Sequence, residues 1–127
     1  MNTHLDTGKQ GEAIAADYLE NKNYRILARN YRAGRGEIDL IAWQHEHTPN
    51  KTLVFVEVKT RSDERFGGPE GAIDAKKQEN IVRAAGLYME SIRYEWIVRF
   101  DVIAVVLREG TLWELRHIED AFFPGMP

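Results

Sequence analysis

The chain has 127 residues, 43% of them apolar and 29% charged, with a formal net charge of −3. That length suits one domain with a proper core, spanning 1–127, and is too short for two. No cysteine is present, which excludes a disulfide framework and a thiolate zinc site. The opening residues, MNTHLDTGKQGEA, carry no basic stretch followed by an apolar run. No apolar stretch approaches about 18 residues, so a cytoplasmic protein without a membrane partner is expected.

Residues 8–22 predict a helix, because Gly11, Ile14, Ala15, Tyr18 and Leu19 recur at the 3.6-residue period. Thr7 and Gln10 have the spacing of a capping box. Glu12 falls at the border of the apolar face, where a first-turn acid also suits the helix dipole. Residues 24–31, YRILARNY, read as a strand with imperfect alternation, and Gly34-Arg35-Gly36 supplies the turn that follows. Between Lys22 and Arg35 lie Lys22, Arg25, Arg29, Arg32 and Arg35 with no acid, leaving eight net negative charges on the rest of the chain. Such a stripe is either a solvated face or the footprint of a polyanion, with Tyr31 placed to meet a base.

The next stretch organises the chain. Two apolar runs, Ile38–Trp43 and Leu53–Val58, flank a polar segment containing Pro49 and Asn50, the pattern of an antiparallel hairpin. Alternation puts Glu37, Asp39, Ile41 and Trp43 on one face of the first strand. On the second it puts Leu53, Phe55, Glu57 and Lys59 on one face and Val54, Val56 and Val58 on the other. Apolar residues on both faces imply a sheet covered on both sides. Charges there are costly unless paired, bound to metal or at an open sheet end, so Asp39, Glu57 and Lys59 stand out.

Residues 62–71, SDERFGGPEG, form a Gly- and Pro-rich loop beginning beside Arg61 and containing Arg65 and Phe66. It reads as a connector or as a flap over substrate. Residues 74–93 predict a second helix with a stripe of Ile81, Ala84, Ala85, Tyr88, Met89 and Ile92. Lys76, Lys77 and Arg83 crowd its first half. Residues 97–108 form a buried strand, and 111–117 return across Glu109-Gly110. Asp101, inside that buried strand, reads as a structural acid bonded to a neighbouring element. The tail, AFFPGMP, reads as a hydrophobic clip. The order is α-β-β-β-α-β-β, an α/β domain with a central mixed sheet of about five strands flanked by helices.

An Asp on one strand beside Glu-x-Lys on its neighbour suits a metal-dependent hydrolase. Two close carboxylates repel each other, and a divalent cation removes that penalty. Oxygen donors alone favour Mg²⁺ or Mn²⁺. Lys59 shares the face of Glu57, where an ammonium can orient a water or offset charge on a phosphoryl group. The expected nucleic-acid contacts are Arg25, Arg29, Arg32, Arg35, Arg61, Lys76 and Lys77. His45-Glu46-His47 reads as solvent-exposed loop, and His4 and His117 as isolated. Neither a Gly-x-x-x-x-Gly-Lys loop nor a Gly-x-Ser-x-Gly elbow occurs.

A helix acid after Gly8-x-x-Gly11, then Gly-Glu-Ile-Asp-Leu-Ile, then Phe-Val-Glu-Val-Lys-Thr-Arg, together resemble the PD-(D/E)xK nuclease superfamily. More narrowly, the chain resembles the bacterial YraN-type family, which is similar to archaeal Holliday-junction resolvases. The likeness runs from Gly8 to the final strands, although Ile38 stands where many superfamily members have Pro. It implies a restriction-endonuclease-like core with its active face at the ends of the two central strands. It further implies Asp39 and Glu57 as metal ligands, the Val58 carbonyl as an extra ligand, Lys59 as the catalytic lysine and Glu12 as the helix acid. The implied function is a Mg²⁺- or Mn²⁺-dependent endonuclease acting on DNA, with branched or damaged structures and a homodimer suggested by the resolvase likeness. The alternatives are a catalytically weak or inactive nucleic-acid-binding module serving repair, recombination or uptake, and an interaction domain in which the acids are relics.

Overall fold

The structure, a computed structural model, describes residues 7–62 and 73–122. The elements are α1 (Thr7–Asn21), β1 (Arg25–Ala33), β2 (Gly36–Gln44), β3 (Thr52–Arg61), α2 (Ala75–Ser91), β4 (Val98–Arg108) and β5 (Thr111–Ile118). The five strands form one mixed sheet in the order β1-β2-β3-β4-β5. Only β3 and β4 run parallel, with α2 as their crossover; the other neighbours are antiparallel. This is the α/β arrangement expected from the order of apolar patterns. The Ser62–Gly71 loop lies almost wholly outside the described residues, as do Phe66, Arg65, His4 and the end of the tail.

Each face of the sheet is covered by one helix. On one side α2 contributes Ile81, Ala84 and Ala85 to a cluster with Ile41, Trp43, Leu53, Phe55 and Phe100. On the other, Ala15, Ala16 and Leu19 of α1 pack on Leu40, Ala42, Val54, Val56, Ile103 and Val105. A buried aliphatic or aromatic side chain contributes roughly 1.5–3 kcal/mol, which makes this two-sided burial the main source of stability. Ile92, expected in the α2 stripe, is 38% exposed because the helix has already ended at Ser91.

Both helices stop in the same way. Tyr24 N–H donates to Leu19 O and Asn23 N–H to Glu20 O, with Asn23 left-handed at φ 69°. Tyr94 N–H to Met89 O and Arg93 N–H to Glu90 O repeat the pattern, with Arg93 at φ 54°. These are Schellman closures, which satisfy the last helical carbonyls. At the start of α1, the Gln10 side chain does not close a capping box. Its amide donates instead to Gly110 O in the β4–β5 turn, at 2.6 Å.

β1 is the least regular strand. A register shift lies between Ile26 and Ala28, and Asn30 is left-handed at φ 51°. Alternation also breaks in β2, where Ile38 joins Ile41 and Trp43 on the α2 side while Leu40 lies on the other. Glu37, Asp39, Ile41 and Trp43 therefore do not form the one regular face expected. Tyr31, paired with Ile38, turns onto the α2-side core. There it meets Tyr88 edge-on at 5.2 Å. Tyr31 is thus a packing residue rather than the free aromatic expected from its place in the basic stripe.

Candidate functional site

The β2–β3 ladder runs from Gln44↔Thr52 to Leu40↔Val56, whereas β3 stays paired with β4 as far as Arg61↔Val106. β3 therefore keeps one neighbour and parts from the other. In the slot between β2 and β3, Asp39 Oδ2 accepts from Val58 N–H at 2.7 Å, taking the place of a ladder carbonyl. Glu57, on the adjoining residue of β3, is 6% exposed. The two carboxylates meet in this slot.

Burial, followed by the charge of Glu57, pushes the Asp39 carboxyl up to about 8; the Val58 N–H works in the opposite direction, and Glu12 adds further repulsion. The donors gathered are two carboxylate groups, with the Val58 N–H bonded to Asp39. The carboxylates are oxygen ligands whose mutual repulsion a divalent cation relieves, so the pair fits Mg²⁺ or Mn²⁺. Glu12 is close enough to act on Asp39 through its charge, because α1 touches β3 at Gly11. A methyl on Gly11 would lie 1.9 Å from Thr60 Oγ1. Among the described residues, no three His or acidic side chains form a metal-holding group, so the side-chain ligands brought together are the Asp39–Glu57 pair.

A cavity of about 420 Å³ opens over this pair, lined in part by Arg35, Glu37, Lys76, Lys77 and Asn80. Lys59 is partly buried and lies outside that lining. The ammonium that reaches the carboxylates is Lys77, with Nζ 2.5 Å from Glu57 Oε2. Burial alone would make Lys77 a weaker base, but the bond to Glu57 and the charges of Glu57, Asp39 and Glu37 raise its pKa, so it stays protonated. Sequence reasoning placed Lys77 on a phosphate-binding surface and missed this contact. The one available signal was a pair of lysines in the first turn of a helix, where the dipole disfavours cations.

The basic stripe does not survive as five free cations. Arg25 makes a bidentate contact with Glu46, at 2.7 and 2.5 Å, and Arg32 lies 3.3 Å from Glu37. Both acids fall outside the stripe in sequence and face it in space. Arg29 and Arg35 are exposed, and Arg35 lines the cavity. Arg61 donates to Thr60 O at 3.0 Å, and Arg83 pairs with Glu79 at 3.4 Å.

Asp101 belongs to a separate network on the α1 side. It is fully buried beside Val56, and it accepts from Arg99, from the Asp120 N–H and from His117 Nε2. Burial opposes its charge, but these bonds together hold the carboxyl below its usual value. Arg99 also reaches Tyr24 and Gln44, and His117 Nδ1 meets Tyr18 OH at 3.0 Å. Asp101 is the structural acid expected. His117, expected to be isolated, is a central member of the network.

A family model described as "Uncharacterised protein family UPF0102" matches residues 11–105. The chain belongs to the UPF0102 family. A UPF0102 protein of Alkaliphilus oremlandii is 48% identical over 118 residues, covering 91% of this chain and 96% of that protein. One from Chlorobium chlorochromatii is 43% identical over 127 residues, covering 96% and 95% respectively. A third, from Bacteroides thetaiotaomicron, is 42% identical with 99% coverage of both chains. The UPF0102 match spans Glu12, Asp39, Glu57, Lys59, Lys77 and Asp101, so it takes in both the slot and the buried network. No helix among the described residues is long and apolar enough to cross a membrane.

Proposed function

We propose that this UPF0102 chain is a divalent-cation-dependent endonuclease of the PD-(D/E)xK type that hydrolyses phosphodiester bonds in DNA. The observation that carries this reading is the slot where β2 and β3 part, with Asp39 and Glu57 side by side in a cavity whose wall also brings in Arg35, Lys76 and Lys77. Asp39, Glu57 and the Val58 carbonyl would hold Mg²⁺ or Mn²⁺, with Glu12 nearby. When bound, the cation supplies charge neutralisation, polarisation of the phosphate and activation of a water. Arg35 and Lys76 attract and orient the phosphate backbone from the cavity wall. Lys59, on the β3 face of Glu57, offsets charge that develops on the reacting phosphoryl group. Its partly buried position keeps that charge in low-dielectric surroundings, where it acts most strongly. Branched or damaged DNA and action as a homodimer belong to the same reading through the resolvase likeness.

The test is cleavage of linear, single-stranded, flapped and four-way DNA with Mg²⁺ or Mn²⁺ present or chelated, for wild type, Lys59→Ala and Asp39→Asn. Metal-dependent cutting lost in both variants is expected. Cutting retained in both would sink the proposal. One observation favours a second reading, a nucleic-acid-binding module with little or no catalysis. Glu57 already has a counter-ion in Lys77, so the site is partly neutralised without metal. DNA binding that is insensitive to chelation, with no cutting of any substrate, would select that module.

A further inference from the structure

The cation that reaches Glu57 comes from α2 rather than from β3. Lys77 Nζ lies 2.5 Å from Glu57 Oε2, with side chains 47% and 7% exposed respectively. This contact is built into the fold by three features. Lys76 and Lys77 occupy the first turn of α2, which carries no acid, although a helix N-terminus favours acids over cations. Asp74 caps that turn by accepting from Lys77 N–H at 2.8 Å, which fixes the Lys77 backbone. Gly36 then lets α2 press on β2 so closely that a methyl there would lie 2.2 Å from Asn80 O. Lys77 therefore enters the slot from a backbone with little room to move.

Resting on the nuclease reading above, we infer that Lys77 is a displaceable counter-ion that couples cation binding to phosphate binding. Without a divalent cation, its ammonium neutralises Glu57. Two cations held against one buried carboxylate repel each other strongly, so Lys77 leaves Glu57 when Mg²⁺ or Mn²⁺ is bound there. Its half-exposed, four-carbon stem allows that swing without movement of α2. The released ammonium stays in the cavity wall with Arg35 and Lys76, where the scissile phosphate of a nucleic-acid strand would sit. Lys77 is thus a positioning residue: paired with Glu57 it is withheld from anions until the cation arrives, then adds a third positive group for the substrate. Because such coupling is reciprocal, substrate phosphate that captures Lys77 also tightens the cation.

The experiment is a Mn²⁺ titration, by calorimetry or electron paramagnetic resonance, of wild type, Lys77→Met, Lys77→Arg and Asp39→Asn without DNA. Circular dichroism would establish that each variant is folded. DNA affinity is then measured for the same set with and without Mn²⁺. Removal of the competing ammonium should tighten Mn²⁺ binding by about fivefold or more in Lys77→Met, a modest coupling between sites. Lys77→Arg should follow wild type, and the Mn²⁺-dependent gain in DNA affinity should shrink in Lys77→Met. Equal or weaker Mn²⁺ binding by Lys77→Met overturns the counter-ion role while leaving the nuclease reading intact. Mn²⁺ binding that survives Asp39→Asn unchanged overturns that reading and the counter-ion role with it.

Discussion

Asp39 is charged only at a cost. Burial and the neighbouring Glu57 raise its pKa from an ordinary 3.8 to about 8, so the folded chain holds a proton that the unfolded chain releases. The sign follows from linkage. Stability from this residue is fully present below about pH 4, falls as pH rises and is lost above about pH 8, with a slope of at most about 1.4 kcal/mol per pH unit. Urea denaturation of the metal-free chain at several pH values between these limits should show the decline, and Asp39→Asn should flatten it. Saturating Mn²⁺ should also abolish it in wild type, because the cation stabilises the ionised pair. Parallel pH curves for wild type and Asp39→Asn in chelator would show that Asp39 is not under this strain. That two acids would meet was legible in the sequence, because hairpin spacing is a local property and brings Asp39 level with Glu57 even though alternation breaks at Ile38. That Lys77 would join them was not, since this depends on how α2 docks.

The docking is set by two glycines, and neither acts through backbone freedom. At Gly36 an added methyl would meet a backbone carbonyl, Asn80 O, which cannot yield without moving α2. At Gly11 it would meet the Thr60 side chain, with Oγ1, Cγ2 and Cβ at 1.9, 2.8 and 2.9 Å, a clash with a side chain that a second substitution can remove. Gly36→Ala should therefore destabilise by on the order of 2–3 kcal/mol, a typical cost of overpacking. Gly11→Ala should cost less, because alanine in a helix regains about 1 kcal/mol over glycine. Adding Thr60→Ala should restore much of the Gly11→Ala loss, and nothing comparable should rescue Gly36→Ala. Thermal denaturation of the four variants measures this ordering; Gly11→Ala proving the costlier change would reverse the account of which contact is rigid. Element type and order were readable because buried strands of β-branched residues differ plainly from helices of 3.6-residue period. The network of Asp101, Arg99, His117, Tyr18 and Tyr24 was not, because α1 and the turn after it meet β4 and β5 from the far end of the chain. His117 looked isolated for that reason alone, and Tyr31 was misplaced because the irregularity at Asn30 reverses its face.

At the scale of the whole molecule, the net charge of −3 would repel a polyanion unless the cations were segregated. Five clustered in sequence are fewer in space, because Glu46 and Glu37 return to Arg25 and Arg32. On the proposed nuclease reading, the cations left to meet phosphates near the slot include Arg35 and Lys76, both exposed and both lining the cavity. Counterion release gives this distribution a measurable consequence. On duplex DNA each phosphate contact contributes about 0.9 to the slope of log affinity against log salt. The double variant Arg35→Gln, Lys76→Gln should therefore lower that slope by about 1.8 relative to wild type. Arg25→Gln with Arg32→Gln removes the same formal charge but should lower it by less than half as much, since those guanidiniums already face carboxylates. Fluorescence anisotropy with labelled duplex at stepped salt distinguishes the two. Equal effects from both pairs would mean that DNA sees only the net charge of the chain. A larger effect from the Arg25 pair would move the binding face off the cavity and onto β1, leaving Asp39 and Glu57 without a substrate phosphate.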